Sequence, residues 1–186
     1  MDMPAFEEVR TETLNNFIVN MSPRPLINHN RVTRNIQNIF FNFLEDNTCE
    51  VFPDGTEINL TEKDRFLPDV SVVCNPSIIK RNAIFGAPDL VVEVLSPRTE
   101  KRDRGYKKNV YEAAGVKEYW LVDVDKRTVE IYELVNRRYE LHNIYGLYPN
   151  YLEEEKDEDM PTEFHSLIFP DLTISLEKVF HKLIDY

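Results

Sequence analysis

Between Leu26 and Leu44 the apolar residues Val32, Ile36, Ile39, Phe40, Phe43 and Leu44 recur at steps of three and four. That is the period of a helix with one face against a core, and it predicts the first helix of the chain. Short segments of β-forming residues follow, set apart by turn signals: "CEVFP", a turn at Asp54-Gly55, "TEINLT", "PDVSVV" and, beyond a loop containing Pro and Asn, "PDLVVEVL". A second helical pattern covers residues 101–114 and stops at Gly115, which suits the left-handed position at a helix C-terminus. Three further strands, "EYWLVDV", "TVEIYEL" and "RYELHNIY", precede "FPDLTI" and a closing amphipathic helix, "SLEKVFHKLI". This order predicts a mixed sheet flanked by helices, in the α/β to α+β range.

Within "PDLVVEVLSP", residues 88–97, strand alternation puts Asp89, Val91, Glu93 and Leu95 on one face and Leu90, Val92 and Val94 on the other. The second face is wholly apolar and must pack on something. A carboxylate in mid-strand loses its hydration on burial and needs a cation or several hydrogen bonds, so Glu93 requires a partner. Asp89, at the strand start behind Pro88, reads more simply as a turn cap or a solvent-facing group. "FLPDVSVV" offers another acid at a strand start, Asp69, 24 residues before Glu93. If the two strands are sheet neighbours, both carboxylates converge on one hard divalent cation such as Mg²⁺; taken alone, Asp69 fits an ordinary turn aspartate equally well.

On a wheel of residues 101–114, Tyr106, Val110, Ala113 and Ala114 make the apolar arc, with Asp103 inside it and Lys107 on its border. Lys107 can reach along the protein towards the sheet, whereas Lys108 points almost directly away, towards solvent or phosphate. Asp103 and Tyr111, each four residues from Lys107, read as its structural partner and as a core aromatic. Two acids and a lysine around a divalent ion suit phosphodiester hydrolysis: the ion lowers the pKa of a bound water and stabilises developing charge, and the ammonium orients the water or adds positive charge.

At 186 residues the chain has room for one domain, residues 1–186, and its 42% apolar and 30% charged residues are those of a globular protein. No apolar run approaches the roughly 20 residues that span a bilayer. "MDMPAFEEVR" lacks the layout of a signal peptide, so the expectation is a cytoplasmic protein with no membrane partner. Cys49 and Cys74 lie at no metal-binding spacing, and in that compartment they read as buried, reduced thiols. The net charge is −11, of which −7 falls in residues 150–186, where "EEEKDEDM" reads as a solvated loop. Such a balance argues against non-specific coating of nucleic acid, but not against an enzyme whose basic groups are local. The densest basic run, Arg98, Lys101, Arg102, Arg104 and Lys108, is either a phosphate-contacting surface or a solvated helix face. By strand period Tyr119 and Trp120 face opposite sides of the sheet, with Trp120 as core packing.

The segments "MSPRPLINHNRV", "LPDVSVV", "PDLVVEVLSP", the run from Asp103 through Lys107 to Tyr111, "AAGVKEYWLVD" and "FPDLTISLEKVF" resemble the Uma-two family of nucleases. That family lies within the PD-(D/E)XK restriction-endonuclease-like superfamily, and the likeness runs through most of the chain. The resemblance implies a restriction-endonuclease-like core with a mixed sheet between helices, Asp69 as the motif aspartate and Glu93 as the motif glutamate. The usual lysine two residues after that glutamate is absent, since Leu95 stands there. The family position on the following helix is Lys107, the residue that the wheel also selects. A further family acid, ahead of the first strand, matches Glu12 in "TETLNNFIVNMSP", although Asn15-Asn16 replaces the expected Asp-Gly. His29 falls in a family-like stretch and reads more simply as a hydrogen-bonding residue at a helix start.

The resulting expectation is a Mg²⁺- or Mn²⁺-dependent endonuclease acting on DNA. Asp69, Glu93 and the backbone carbonyl of Val94 would hold the ion, Lys107 would position the water and Glu12 would complete the acidic site. The rivals are a catalytically silent nuclease-fold binding module of a mobile-element or restriction system, and a hydrolase of a small phosphate-bearing substrate. A homodimer is an analogy with superfamily nucleases that cut both strands.

Overall fold

A strand that is apolar on both faces apart from one carboxylate needs cover on both sides, and this requirement organises the chain. The computed structural model describes residues 10–21, 26–147 and 161–184, so Ser22–Pro25 of the "MSPRPLINHNRV" stretch and the acidic "EEEKDEDM" lie outside the described residues. The chain opens with a hairpin, β1 (Thr11–Leu14) and β2 (Phe17–Asn20), followed by helix α1 (Ile27–Phe43). Six short strands come next: β3 (Glu50–Pro53), β4 (Ile58–Asn59), β5 (Arg65–Phe66), β6 (Val70–Val73), β7 (Ile84–Phe85) and β8 (Leu90–Val94). Then α2 (Glu100–Arg102), a π turn (Asp103–Lys107) and α3 (Lys108–Ala114) run on as one helical segment. Strands β9 (Glu118–Asp123), β10 (Thr128–Val135) and β11 (Arg138–Gly146), a small pair β12 (Glu163–His165) and β13 (Thr173–Ser175), and the short helix α4 (Leu176–Val179) complete it.

Among the described residues the main sheet has six strands in the order β11-β10-β9-β8-β6-β3. Its single parallel pair, β8 with β9, is bridged by the segment that contains α2 and α3. All five residues of β8 are buried. Its Leu90, Val92 and Val94 face Val32, Ile36 and Phe40 of α1, together with Trp120 and Val122 of β9. Val91 and Leu95 join Phe66, Tyr111, Val116, Tyr119 and Leu121 in a second apolar cluster. Tyr119 and Trp120 therefore do face opposite sides, with Trp120 in the core.

The helical period of α1 and the strands β3, β6, β8, β9, β10 and β11 match the sequence pattern. Gly115 takes the left-handed conformation that ends α3, with φ 93°. Three expectations are corrected. Glu12 does not precede the first strand but lies on it, because the Asn15-Asn16 pair, with φ of 47° and 67°, makes the two-residue turn of a hairpin. Asn tolerates the left-handed region that such turns demand of both residues, so this departure from Asp-Gly preserves the geometry. The closing helix stops at Val179, and Lys182 turns left-handed at φ 59°.

The third correction concerns the cysteines. Antiparallel pairing of β3 with β6 sets Glu50 opposite Val73, which brings the flanking Cys49 and Cys74 together, and they form a disulfide. Nothing in a 25-residue separation announces that pairing. No helix among the described residues is long and apolar enough to cross a membrane.

One buried carboxylate outside the cleft is purely a fastening. Glu118, fully buried on β9, accepts hydrogen bonds from Trp120 Nε1 at 2.7 Å, Ser166 Oγ at 2.8 Å and the Ile168 N–H at 3.1 Å, which ties residues 166–168 to the sheet. An amide in its place turns a donor towards one of these donors. Glu118→Gln is expected to lower stability by about 1–3 kcal/mol, read as a reduced urea midpoint with unchanged slope.

Candidate active site

The antiparallel register of β6 with β8 pairs Val70 with Val92, and one step beyond it Asp69 comes alongside Glu93. The two strands are sheet neighbours, as convergence of their carboxylates requires. Asp69 Oδ2 accepts the Val94 N–H at 2.7 Å, which fixes this carboxylate against the end of β8. Its Oδ1 faces His29 Nε2 at 3.4 Å. Asp89 stays apart: it accepts the Cys74 N–H and Lys117 Nζ, each at 2.7 Å, and so serves strand entry.

Opposite Glu93 the π turn changes which side chains of its helix face inward. A π turn is wider than an α turn, a form often found at functional sites, and it re-aims the residues that it carries. Asp103, Lys107 and Tyr111 are buried, whereas Tyr106 and Ala113, part of the apolar arc of a regular wheel, are exposed. Lys107 Nζ lies 2.5 Å from Glu93 Oε1, 3.0 Å from Glu12 Oε1 and 3.7 Å from Asp103 Oδ1. It also sits 5.4 Å from the centre of the Phe66 ring.

Lys108 does not point into solvent: it lies 3.4 Å from the centre of the Tyr132 ring, in a cation–π contact, because the π turn rotates the helix around it. Arg104 is taken by Glu100 and Glu130. Of the basic run, only Arg98 and Lys101 are exposed.

Glu12 reaches the cluster from the hairpin. Its Oε1 accepts the Leu67 N–H at 3.0 Å in addition to Lys107, and its Oε2 lies 3.1 Å from Arg102 Nη2. Arg102 and Tyr111 thus join the residues that sequence reasoning singled out. Tyr111 donates its hydroxyl to Glu93 Oε1 at 2.8 Å, a role beyond the core aromatic that its spacing suggested. Its four-residue step from Lys107 was the available signal; nothing in the basic run separates Arg102 from Arg104.

The charges explain one another. Burial works against the Lys107 ammonium, but the carboxylates of Glu93, Glu12 and Asp103 outweigh it and hold the group protonated. Burial likewise opposes ionisation of Glu12, yet Lys107, the Leu67 N–H and Arg102 together bring its carboxyl below the usual value. Glu93 goes the other way: burial raises it, Lys107 pulls against this, and the like charges of Asp103, Asp69 and Glu12 push it further up. Burial raises the Tyr111 phenol well above its ordinary value, so it donates rather than ionises.

A cleft of about 420 Å³ is lined by His29, Asp69, Glu93, Val94, Arg102 and Lys107. Among the described residues no three His, Cys, Asp or Glu side chains are gathered as a ready-made metal cage. The donor set nonetheless suits a hard cation. Four carboxylates, Glu12, Asp69, Glu93 and Asp103, face two cations, Lys107 and Arg102, and the buried Asp103 Oδ1 lacks a hydrogen-bond partner. Such an excess of buried carboxylate is what a divalent ion compensates.

A family model described as "Putative restriction endonuclease" matches residues 1–176. The chain belongs to that family, Uma2. A crystal structure of a "putative nuclease belonging to DUF820" from Anabaena variabilis superposes on this Uma2 chain with a TM-score of 0.70. It covers 93% of this chain and 90% of its own, at 19% sequence identity. That likeness shows a shared fold, consistent with a restriction-endonuclease-like core. A protein of Synechocystis called uncharacterized protein slr1290 is 34% identical over 107 residues, which is 56% of this chain and 56% of that protein's length. The Uma2 chain thus aligns with little more than half of that relative.

Glu12 is the buried carboxylate on which Lys107 and Arg102 both converge, and its loss takes one of three carboxylates from Lys107 and the paired carboxylate from Arg102. Glu12→Gln is expected to destabilise the protein by about 3–5 kcal/mol near neutral pH. A carboxyl held below its usual 4.5 in the folded state contributes stability that is complete above that value and lost as the pH falls through the folded pKa. The gap in urea stability between wild type and Glu12→Gln should therefore be full at about pH 6 and shrink by about pH 3.

Proposed function

We propose that this chain is a divalent-metal-dependent endonuclease that hydrolyses DNA phosphodiester bonds. The reading is carried by one observation: Glu93 on β8 meets Lys107 at 2.5 Å, beside Asp69 and at the floor of a cleft. Membership of Uma2 and the restriction-endonuclease-like fold support it. Asp69 and Glu93 are the residues that would hold the ion, assisted by the Val94 carbonyl. When bound, a Mg²⁺ or Mn²⁺ ion supplies a water of lowered pKa and charge stabilisation at the phosphoryl group.

The chain's own groups do the rest. Lys107 is held protonated, so it serves as a fixed cation that orients the attacking water or stabilises developing negative charge, and not as a general base. Glu12 and Tyr111 are positioning residues: the first holds Lys107 and Arg102, the second holds Glu93. The apolar cluster of Phe66, Val91, Leu95 and Tyr111 beneath the carboxylates keeps the local dielectric low, which strengthens every charge interaction above it.

A second reading, a catalytically silent binding module, draws on the internal engagement of Arg104 and Lys108, which leaves little free positive charge beside the cleft. Cleavage assays decide between the two. Wild-type protein with Mg²⁺ or Mn²⁺ should cut DNA and lose this activity with chelator. Asp69→Asn, Glu93→Gln and Lys107→Ala should each reduce the rate by about 100-fold or more, with folding verified by thermal melting. Asp89→Asn should leave it near wild type. Absence of metal-dependent cleavage from any form of DNA would sink the enzyme reading.

A further inference from the structure

Four lysine and arginine side chains line the cleft, and three of them are taken. Lys107 lies among Glu93, Glu12 and Asp103. Arg102 meets Glu12 Oε2 at 3.1 Å, and Arg10 spans both oxygens of Asp54. The fourth, Arg98, is exposed and has no hydrogen bond or ion pair among the described residues. Asp125, also exposed in the lining, makes no ion pair with it. The chain sets the place of Arg98. It stands on the turn by which the strand of Glu93 leaves the sheet, and that turn is fixed. The Thr99 and Glu100 N–H groups both donate to the Ser96 carbonyl, at 3.0 and 2.9 Å, and the Ser96 and Thr99 hydroxyls bond each other at 3.1 Å. Glu93 and Lys107 are buried, so an exposed Arg98 stands at the mouth of the cleft that they floor.

An arginine without a carboxylate partner leaves five N–H donors open to an anion, in a planar fork that matches phosphate. Arg104, in the same basic run, is spent on Glu100 and Glu130. A phosphate at Arg98 breaks no internal pair, whereas one at Arg10, Arg102 or Lys107 must compete with a carboxylate. We propose, resting on the reading of this cleft as a DNA site, that Arg98 binds a backbone phosphate flanking the one at the floor. It thereby fixes the register of the strand over Glu93 and Lys107. The basic run of the sequence then reduces, at the cleft, to one contact whose work is to position the strand.

Fluorescence anisotropy of a labelled DNA oligonucleotide with hydrolysis-resistant phosphorothioate linkages, at fixed Mg²⁺ and varied NaCl, reads this contact without requiring cleavage. Each phosphate neutralised releases condensed counterions, so the slope of log affinity against log salt counts contacts. Arg98→Ala should weaken binding about 5–10-fold and flatten that slope by about 0.7–0.9. Lys101→Ala makes the same charge change at an exposed residue outside the cleft lining, and it should leave the slope as in wild type. Arg98→Lys keeps the charge but not the fork, so it should restore the slope and only part of the affinity. Equal slope changes in Arg98→Ala and Lys101→Ala, or none in either, would overturn the proposal while leaving the endonuclease reading in place, since no contact is then specific to Arg98. An Arg98-dependent slope in a protein that cleaves no form of DNA would uphold the contact and sink the endonuclease reading. Wild type that binds the oligonucleotide at no salt concentration would remove both.

Discussion

A protonated lysine with 2% of its surface exposed is the constraint around which the rest of the structure is arranged. Burying an ammonium is tolerable only when carboxylates surround it, and those around Lys107 come from separate parts of the chain: Glu12 from the hairpin, Glu93 from the central strand and Asp103 from its own helical segment. The hairpin is the least obvious of these. Its two four-residue strands have little core of their own, yet Glu12 on β1 pins it to the sheet and helix through Lys107, Arg102 and the Leu67 N–H. Asp64 adds a second fastening, accepting from the Asn15 N–H at the hairpin turn and from the Tyr106 hydroxyl on the π turn.

The sheet supplies what the charges need. Parallel pairing of β8 with β9 requires a crossover, and the α2–α3 segment that makes it lies across the face bearing Glu93. A lysine two residues after the glutamate would have to leave the strand where Leu95 instead packs with Phe66 and Tyr111. Drawing the ammonium from the helix keeps that cluster apolar and brings the charge in from above. Asp103 and Lys107, four residues apart, face inward together from that segment.

Much of this was legible in the sequence because it follows from periodicity. The apolar steps of α1, the alternation of Glu93 with Val92 and Val94, and Gly115 as a helix stop all depend on neighbours a few residues away. What stayed hidden depends on contacts distant along the chain or on irregular backbone. A wheel of regular pitch put Tyr106 inside and Lys108 outside, and the π turn reversed the first and gave the second an aromatic partner. The hairpin carried no glycine to mark its turn, and the Cys49–Cys74 bond depends on a strand register that composition does not encode. Lys107 was selected by its border position on the wheel; its three carboxylates could not be, since two of them lie on other elements.

The same charge arrangement bears on how a polyanion could approach. On the proposed reading, a phosphate entering the cleft meets the carboxylates of Asp69 and Glu93 as well as Lys107, which is already engaged by Glu93 and Glu12. With a chain of net charge −11 and most of the neighbouring basic groups paired internally, the bare site would repel a polyanion. On that reading a divalent ion would have two tasks that share one cause: it would compensate the carboxylates that make the site acidic, and it would turn a repulsive pocket into one that accepts phosphate. Substrate binding and chemistry would consequently depend on the cation together, and the weak basic surface would contribute orientation more than affinity.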